Sequence, residues 1–381
     1  MKIVNVVGAR PNFVKMSPLI REMLRHPTIV PTLVHTGQHY DDAMSARFFA
    51  ELEIPAPDHN LGVGSGSHAI QTAQVMQRLE PLLTSVRPDL VLAVGDVNST
   101  LATAITAVKL GLPLVHVEAG LRSFDRAMPE EINRLLTDAV ADLLFVTEED
   151  ARVNLLREGV APAKIHFVGN VMVDALLAFK PRWEASPILD RLPLDGKPYA
   201  VLTLHRPTNV DDPDTLNELL GALQEIGRHL PIVFPVHPRV RPRLALGASA
   251  SNRGLVCLPP LGYLDFVALM SRARLVLTDS GGVQEETTML GVPCLTLRDN
   301  TERPVTVSHG TNRVIGTRPQ RIVEEALRVL DDPPRPVAPP PLWDGRAAQR
   351  IVRILLGQGS DPAPGTPESV AHAPLLSGRG A

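Results

Sequence analysis

The chain has 381 residues, with 38 Lys+Arg against 41 Asp+Glu and a formal net charge of -3. That balance excludes a general nucleic-acid binder, which needs a large cationic excess, while permitting a local basic pocket for phosphate. Hydrophobic residues are 44%, enough to bury two cores in a chain of this length.

In chain order, the apolar run at 3–8 predicts a first strand. It is too short for a secretory leader, and no run is long enough to cross a bilayer, so a cytoplasmic protein without a membrane partner is expected. Helical spacing follows over 12–24, a strand over 30–35 and a helix over 41–52. Runs at 90–94, 114–117 and 143–146 read as further strands with helices between. This is the βαβ rhythm of a parallel sheet covered on both faces. A proline-rich break spans 180–198, and the rhythm restarts with strands at 199–204, 231–236, 255–258, 274–277 and 293–297. The fold class is therefore α/β, with two doubly wound units joined near 169–192 and a ligand cleft between them. Residues 343–356 return to helical periodicity, with Ile351, Ile354 and Leu355 on one face; from 358 to 381 the Pro, Gly, Ser and Ala content predicts disorder. Cys257 and Cys294 lie far apart in apolar runs, without a CxxC, and read as buried thiols. The 12 histidines form no ligand-spaced cluster, so no metal is expected.

Chemistry concentrates at strand ends. Asp96 follows the run at 90–94, and Glu118 follows that at 114–117. Glu130 lies beyond a loop, with Arg122, Arg126 and Arg134 nearby in sequence. One crevice could thus hold three carboxylates suited to proton transfer beside an anionic substrate. Gly8-Ala9-Arg10-Pro11-Asn12 opens a helix, where Arg10 and Lys15 suit an anion; an ordinary strand–helix turn with two solvated cations fits equally well. Gly62-Val63-Gly64-Ser65-Gly66 superficially matches a dinucleotide fingerprint, but it follows 55–60 rather than a strand, so it reads as a flexible loop and no nicotinamide site is expected. His205, with Arg206 beside it, ends another strand and can serve as acid, base or phosphate partner. In Asp279-Ser280-Gly281-Gly282-Val283-Gln284-Glu285-Glu286, the glycines and Ser280 can cradle a diphosphate, and Glu286 can take the hydroxyls of a ribose. Arg298 and Arg303, on the next charged loop, could neutralise phosphate or grip a sugar.

Taken together, these motifs, with Gly95-Asp96-Val97-Asn98-Ser99-Thr100, His116-Val117-Glu118-Ala119-Gly120-Leu121-Arg122, Pro129-Glu130-Glu131-Ile132-Asn133-Arg134 and Thr301-Glu302-Arg303-Pro304, closely resemble the non-hydrolysing UDP-N-acetylglucosamine 2-epimerase family from Lys2 to about Leu356. The resemblance implies a GT-B architecture of two Rossmann-like domains: 1–169 rejoined by a C-terminal helix at 343–357, and a UDP-binding domain at 170–342. It implies a homodimer that interconverts UDP-GlcNAc and UDP-ManNAc for envelope polysaccharide synthesis, without a cofactor. The C2 proton of the sugar has no adjacent carbonyl to acidify it, so loss of UDP to a glycal and its re-addition is the natural route. In that scheme Asp96, Glu118 and Glu130 handle the proton, with the base unassigned. His205, Arg10 and the Ser280-Gly281-Gly282 turn stabilise the departing diphosphate. Lys15 and Arg134 are charge partners, Glu286 holds the ribose, and Arg303 holds the sugar or phosphate. Gln38 and His39 match part of a region where some bacterial members bind a second UDP-GlcNAc as activator, although Pro207 stands where many carry a second arginine. The rival readings are a GT-B glycosyltransferase, which needs an acceptor, a hydrolysing epimerase releasing ManNAc and UDP, and a non-catalytic nucleotide-sugar sensor.

Overall fold

A computed structural model describes residues 1–38, 48–194, 196–244, 254–332 and 338–358, apart from the Arg10 side chain. Its strands are β1 (Lys2–Val7), β2 (Val30–His35), β3 (His59–Asn60), β4 (Leu90–Val94), β5 (Leu114–Ala119), β6 (Leu143–Val146), β7 (Ile165–Phe167), β8 (Ala200–Thr203), β9 (Ile232–Pro235), β10 (Leu255–Leu258), β11 (Leu275–Thr278), β12 (Cys294–Thr296) and β13 (Asn312–Val314). They form a seven-stranded sheet, β3-β2-β1-β4-β5-β6-β7, and a six-stranded sheet, β10-β9-β8-β11-β12-β13. Every pairing is parallel, as expected for β-branched runs that are buried on both faces.

The strand order explains where a site belongs. In the first sheet the winding reverses between β1 and β4; in the second it reverses between β8 and β11. The connections leaving neighbouring strands at such a point diverge to opposite faces and open a crevice at the strand ends. Gly8-Ala9 and Gly95-Asp96 leave the first reversal, and Leu204-His205 and Asp279-Ser280 leave the second.

Apolar side chains fill three layers. One lies on one face of the first sheet, under Leu79 and Leu83. Another lies on one face of the second, with Leu216, Leu223 and Ile322. The third is continuous between them, from Ile3 and Val117 through Val171 and Leu176 to Val201 and Val276. The helix Val171–Ala178 joins the halves by packing against both Arg10–Met23 and Gly281–Leu290. The helix Ala347–Leu355 crosses back onto Arg10–Met23, burying Ile351, Ile354 and Leu355. Each such side chain stabilises the arrangement by roughly 1.5–3 kcal/mol. Asp174 accepts from the Ala347 and Ala348 amides at 3.1 and 2.7 Å, satisfying donors at that helix's N-terminus.

Several expectations need correction. The C-terminal helix begins at Ala347, because Leu342 and Gly345 take positive φ (62° and 80°) and shape a turn that seats the Trp343 indole, whose Nε1 donates to Thr147 O at 3.0 Å. Cys257 is exposed, since β10 is an edge strand with an alternating face; Cys294 is buried as expected. The Gly62–Gly66 loop does sit between a strand, β3, and a helix, His68–Val86. Its backbone is held by Arg78 donating to Leu61 O at 2.7 Å and Gln71 donating to Gly64 O at 2.9 Å. Most of the helix expected at 41–52 and nearly all of the tail lie outside the described residues.

Candidate active site

On the first-sheet side, Glu118 is the most constrained group. It has φ 73° at a register shift in the β5–β6 pairing between Val117 and Ala119. A non-glycine residue held in this left-handed region costs of order 1–3 kcal/mol and persists only where its surroundings enforce it. The bulge turns the carboxylate into the cleft, where it pairs with Lys15 and accepts from Arg303 Nη2 at 2.5 Å. Both partners are buried.

Asp96 follows Gly95, whose φ of 74° makes the turn. A Cβ there would also crowd Asn12 at 3.2 Å and the Lys15 ammonium at 3.3 Å. Asp96 Oδ2 accepts from Arg134 Nη1 at 2.5 Å. Burial raises its pKa, but Arg134, Lys15 and Arg303 together outweigh that effect and hold the carboxyl below its ordinary value. Beneath both turns lies His116, whose Nε2 is 2.8 Å from Gly95 O and whose Nδ1 is 2.6 Å from Asp138. Asp138 also accepts from the Gly120 amide at 3.0 Å and pairs with Arg122 at 2.7 Å. One buried network therefore fixes the backbone on either side of Glu118.

The structure separates the adjacent acids of the helix Pro129–Val140. Glu131 is buried, accepts from the Ser123 and Phe124 amides at 3.0 and 2.9 Å, and pairs with Arg134 at 2.6 Å. Glu130 is half-buried and has no hydrogen-bond or ion-pair partner among the described residues. Glu131 thus organises the loop and Arg134, leaving Glu130 the freer group.

On the second-sheet side, buried Asp279 accepts from the His205 and Arg206 amides, both at 2.9 Å, and faces His205 Nδ1 at 2.7 Å. Burial works upward on Asp279, but His205 and these amides bring its pKa down to about 2. An imidazole with Nδ1 on a carboxylate presents Nε2 to the cleft, and His205 is 40% exposed at its side chain. The Ser280-Gly281-Gly282 turn starts the helix Gly281–Leu290, and its initial amides suit an anion. The absence of a side chain at Gly281 leaves room for the Arg303–Glu302 pair, because a Cβ there would come within 2.7 Å of Glu302 and displace the Arg303 guanidinium. Glu286 is buried inside this helix. Burial, with Glu285 beside it, pushes its pKa up to about 8, against the Tyr263 hydroxyl.

Arg303 ties the two sides together. Besides Glu118 it reaches Glu285 at 2.8 Å and Glu302 at 2.6 Å. Glu285, Glu302, Glu131 and Asp279 were not singled out as individual site residues from sequence, although all lie within the quoted motifs. Gln38 is buried, and its side chain is engaged with the Ser99 hydroxyl and amide at 2.6 and 3.1 Å. His39 and the Arg10 side chain lie outside the described residues.

Two parallel-sheet Rossmann-like units facing across a cleft, with carboxylates on one side and a diphosphate-type turn on the other, define an enzyme of the GT-B fold class. A family profile described as UDP-N-acetylglucosamine 2-epimerase matches residues 21–356, and the chain belongs to that family. A UDP-N-acetylglucosamine 2-epimerase homolog of Methanococcus maripaludis is 44% identical over 361 residues, spanning 93% of this chain and 99% of that protein. The UDP-2,3-diacetamido-2,3-dideoxy-D-glucuronate 2-epimerase of Pseudomonas aeruginosa is 44% identical over 336 residues, spanning 87% of this chain and 92% of that protein. The crystal structure of Methanocaldococcus jannaschii UDP-GlcNAc 2-epimerase in complex with UDP-GlcNAc and UDP matches with a TM-score of 0.89 at 42% identity, covering 94% of this chain and 100% of that one.

Proposed function

We propose that this chain reversibly inverts C2 of UDP-GlcNAc to give UDP-ManNAc, by eliminating UDP to a glycal and adding it back after reprotonation on the other face. The observation that carries this reading is Glu118, held in a strained conformation between Lys15 of the first sheet's side and Arg303 of the second. Asp96 lies in the same charge network, and Glu130 stands unpaired nearby in the sequence. Removing the C2 proton and expelling UDP from C1 requires a carboxylate at one carbon and fixed cations and amides at the departing diphosphate. Asp96, Glu118 and Glu130 would exchange the proton. His205, oriented by Asp279, would join Arg10 and the Ser280 turn at the phosphates, with Lys15 and Arg134 setting the carboxylates' charge. Glu286 would hold the ribose, and Arg303 the sugar or phosphate side. Detached UDP has to stay in place between the two steps, which the paired sheets accomplish by closing over it.

A second copy of the chain is the expected protein partner. The helix Pro129–Val140 leaves Ile132, Leu136 and Val140 exposed at four-residue spacing, an apolar stripe that supports pairing through this face. Placement in the cytoplasm and supply of envelope polysaccharide synthesis belong to the same reading; among the described residues, no helix is long and apolar enough to cross a membrane.

The test is proton NMR of UDP-GlcNAc incubated with the protein in D2O, without acceptor or added nicotinamide. UDP-ManNAc carrying deuterium at C2 is expected. Free ManNAc with UDP would replace this reading with hydrolysis. Sugar transfer only when an acceptor is added would replace it with a glycosyltransferase.

A further inference from the structure

Charge is unevenly matched at one edge of the cleft. Glu302 faces three guanidinium groups: Arg303 at 2.6 Å, Arg298 at 2.7 Å and Arg206 at 3.6 Å. Arg303 is also met by Glu118 and Glu285 at 2.5 and 2.8 Å. Arg206 and Arg298 have no second carboxylate among the described residues and divide what Glu302 offers. Arg298 is only 6% exposed, yet its Nη1 has no hydrogen-bond partner among the described residues. A buried charged donor without an acceptor is unfavourable unless something arrives to accept from it. Burial, with Arg206 and Arg303 alongside, pushes the Arg298 pKa down against the pull of Glu302.

The two guanidiniums converge on the opposite wall of the cleft. Arg206 Nη1 and Arg298 Nη2 each lie 3.8 Å from Met128 Sδ, and a thioether is a weak acceptor for either. Arg206 also donates from Nε to Asp279 O at 3.0 Å, which places the pair beside the Ser280 turn.

We propose that Arg206 and Arg298 together bind one oxyanion of the nucleotide sugar, either a diphosphate oxygen or a carboxylate on the sugar, with Met128 as the facing wall. The site rests on the reading above that the ligand is a UDP-sugar. A planar fork beside a second guanidinium matches the geometry of either oxyanion. The carboxylate is a concrete alternative because the Pseudomonas aeruginosa relative is named for a glucuronate.

Calorimetric titration of the wild type, Arg298→Met and Arg298→Lys with uridine, UDP, UDP-GlcNAc and its C6-carboxylate counterpart tests this. Arg298→Met should bind uridine as the wild type does, which reports an intact fold. If the oxyanion is the diphosphate, UDP affinity falls about tenfold or more, with partial recovery in Arg298→Lys. If it is the sugar carboxylate, UDP affinity stays and only the carboxylated UDP-sugar loses affinity by that factor. Unchanged affinity for every anion, with UDP bound by the wild type, overturns the site alone. Failure of the wild type to bind uridine or UDP overturns the nucleotide-sugar reading together with it.

Discussion

The two sides of the cleft solve different problems with similar residues. On the first-sheet side two of the carboxylates proposed to exchange the proton are ion-paired, Asp96 with Arg134 and Glu118 with Lys15, while Glu130 has no partner among the described residues, and a buried His116–Asp138–Arg122 network fixes the turns beneath. On the second-sheet side one carboxylate serves several cations, with Arg206, Arg298 and Arg303 all around Glu302 and no second carboxylate for Arg206 or Arg298 among the described residues. A proton-transfer group needs a defined charge state and position before substrate arrives, so its compensation is internal. An anion-binding group needs spare donors, so its compensation is left for the ligand to supply. Arg303 spans both regimes, through Glu118 on one side and Glu285 and Glu302 on the other.

That division can be broken most severely at Arg303. Arg303→Met leaves buried Glu285 without its cation, while Glu118 keeps Lys15 and Glu302 keeps Arg298 and Arg206, and it should lower stability by about 3–5 kcal/mol, read from urea unfolding. A loss no larger than that of an exposed arginine would show that the two sides are not joined there. Glu118→Gln should sharpen the contrast from the first side: turnover of UDP-GlcNAc in D2O falls at least roughly a hundredfold, while UDP affinity stays within about twofold. An equal loss in binding would mean that Glu118 grips ligand instead of exchanging a proton. Ser280→Ala is the converse, weakening UDP roughly fivefold to tenfold in calorimetry with little change in saturated turnover. A different readout, stability against pH, applies at Glu286. Its folded pKa is raised from 4.5 to about 8, so between those values the unfolded chain releases its proton first and stability falls as pH rises. Glu286→Gln should remove that decline from urea midpoints measured across the window; an unaltered slope would place the titration elsewhere.

The fold was legible where periodicity is strong. The central strands β1, β4, β5, β8 and β11 are short, almost wholly buried runs rich in Val, Ile, Leu and Ala, and their order puts Asp96, Glu118, His205 and Ser280 at strand ends. The strands β3, β7 and β13 escaped notice because each has only two or three residues. The identity of the charged residues was legible too, but their partnerships were not. Arg303 and Glu118 are 185 positions apart, and no local spacing announces a pair closed across two sheets. Nor does the residue type at 118 reveal a left-handed backbone, which is imposed by the bulge against β6. Glu130 and Glu131 look alike in sequence; the helix turn between them decides which one is buried against Ser123 and Arg134.

The return of Ala347–Leu355 onto Arg10–Met23 has a consequence for synthesis. The helix Arg10–Met23 is covered by one that is synthesised long after it. At roughly 5–20 residues per second, translation takes about 20–70 s to bridge them. Throughout that interval an apolar face of the N-terminal helix is without its cover, whereas the second sheet has all its strands by Val314. The half whose strands are made earlier is therefore completed after the strands of the other, so its packing closes only after the second sheet's strands exist.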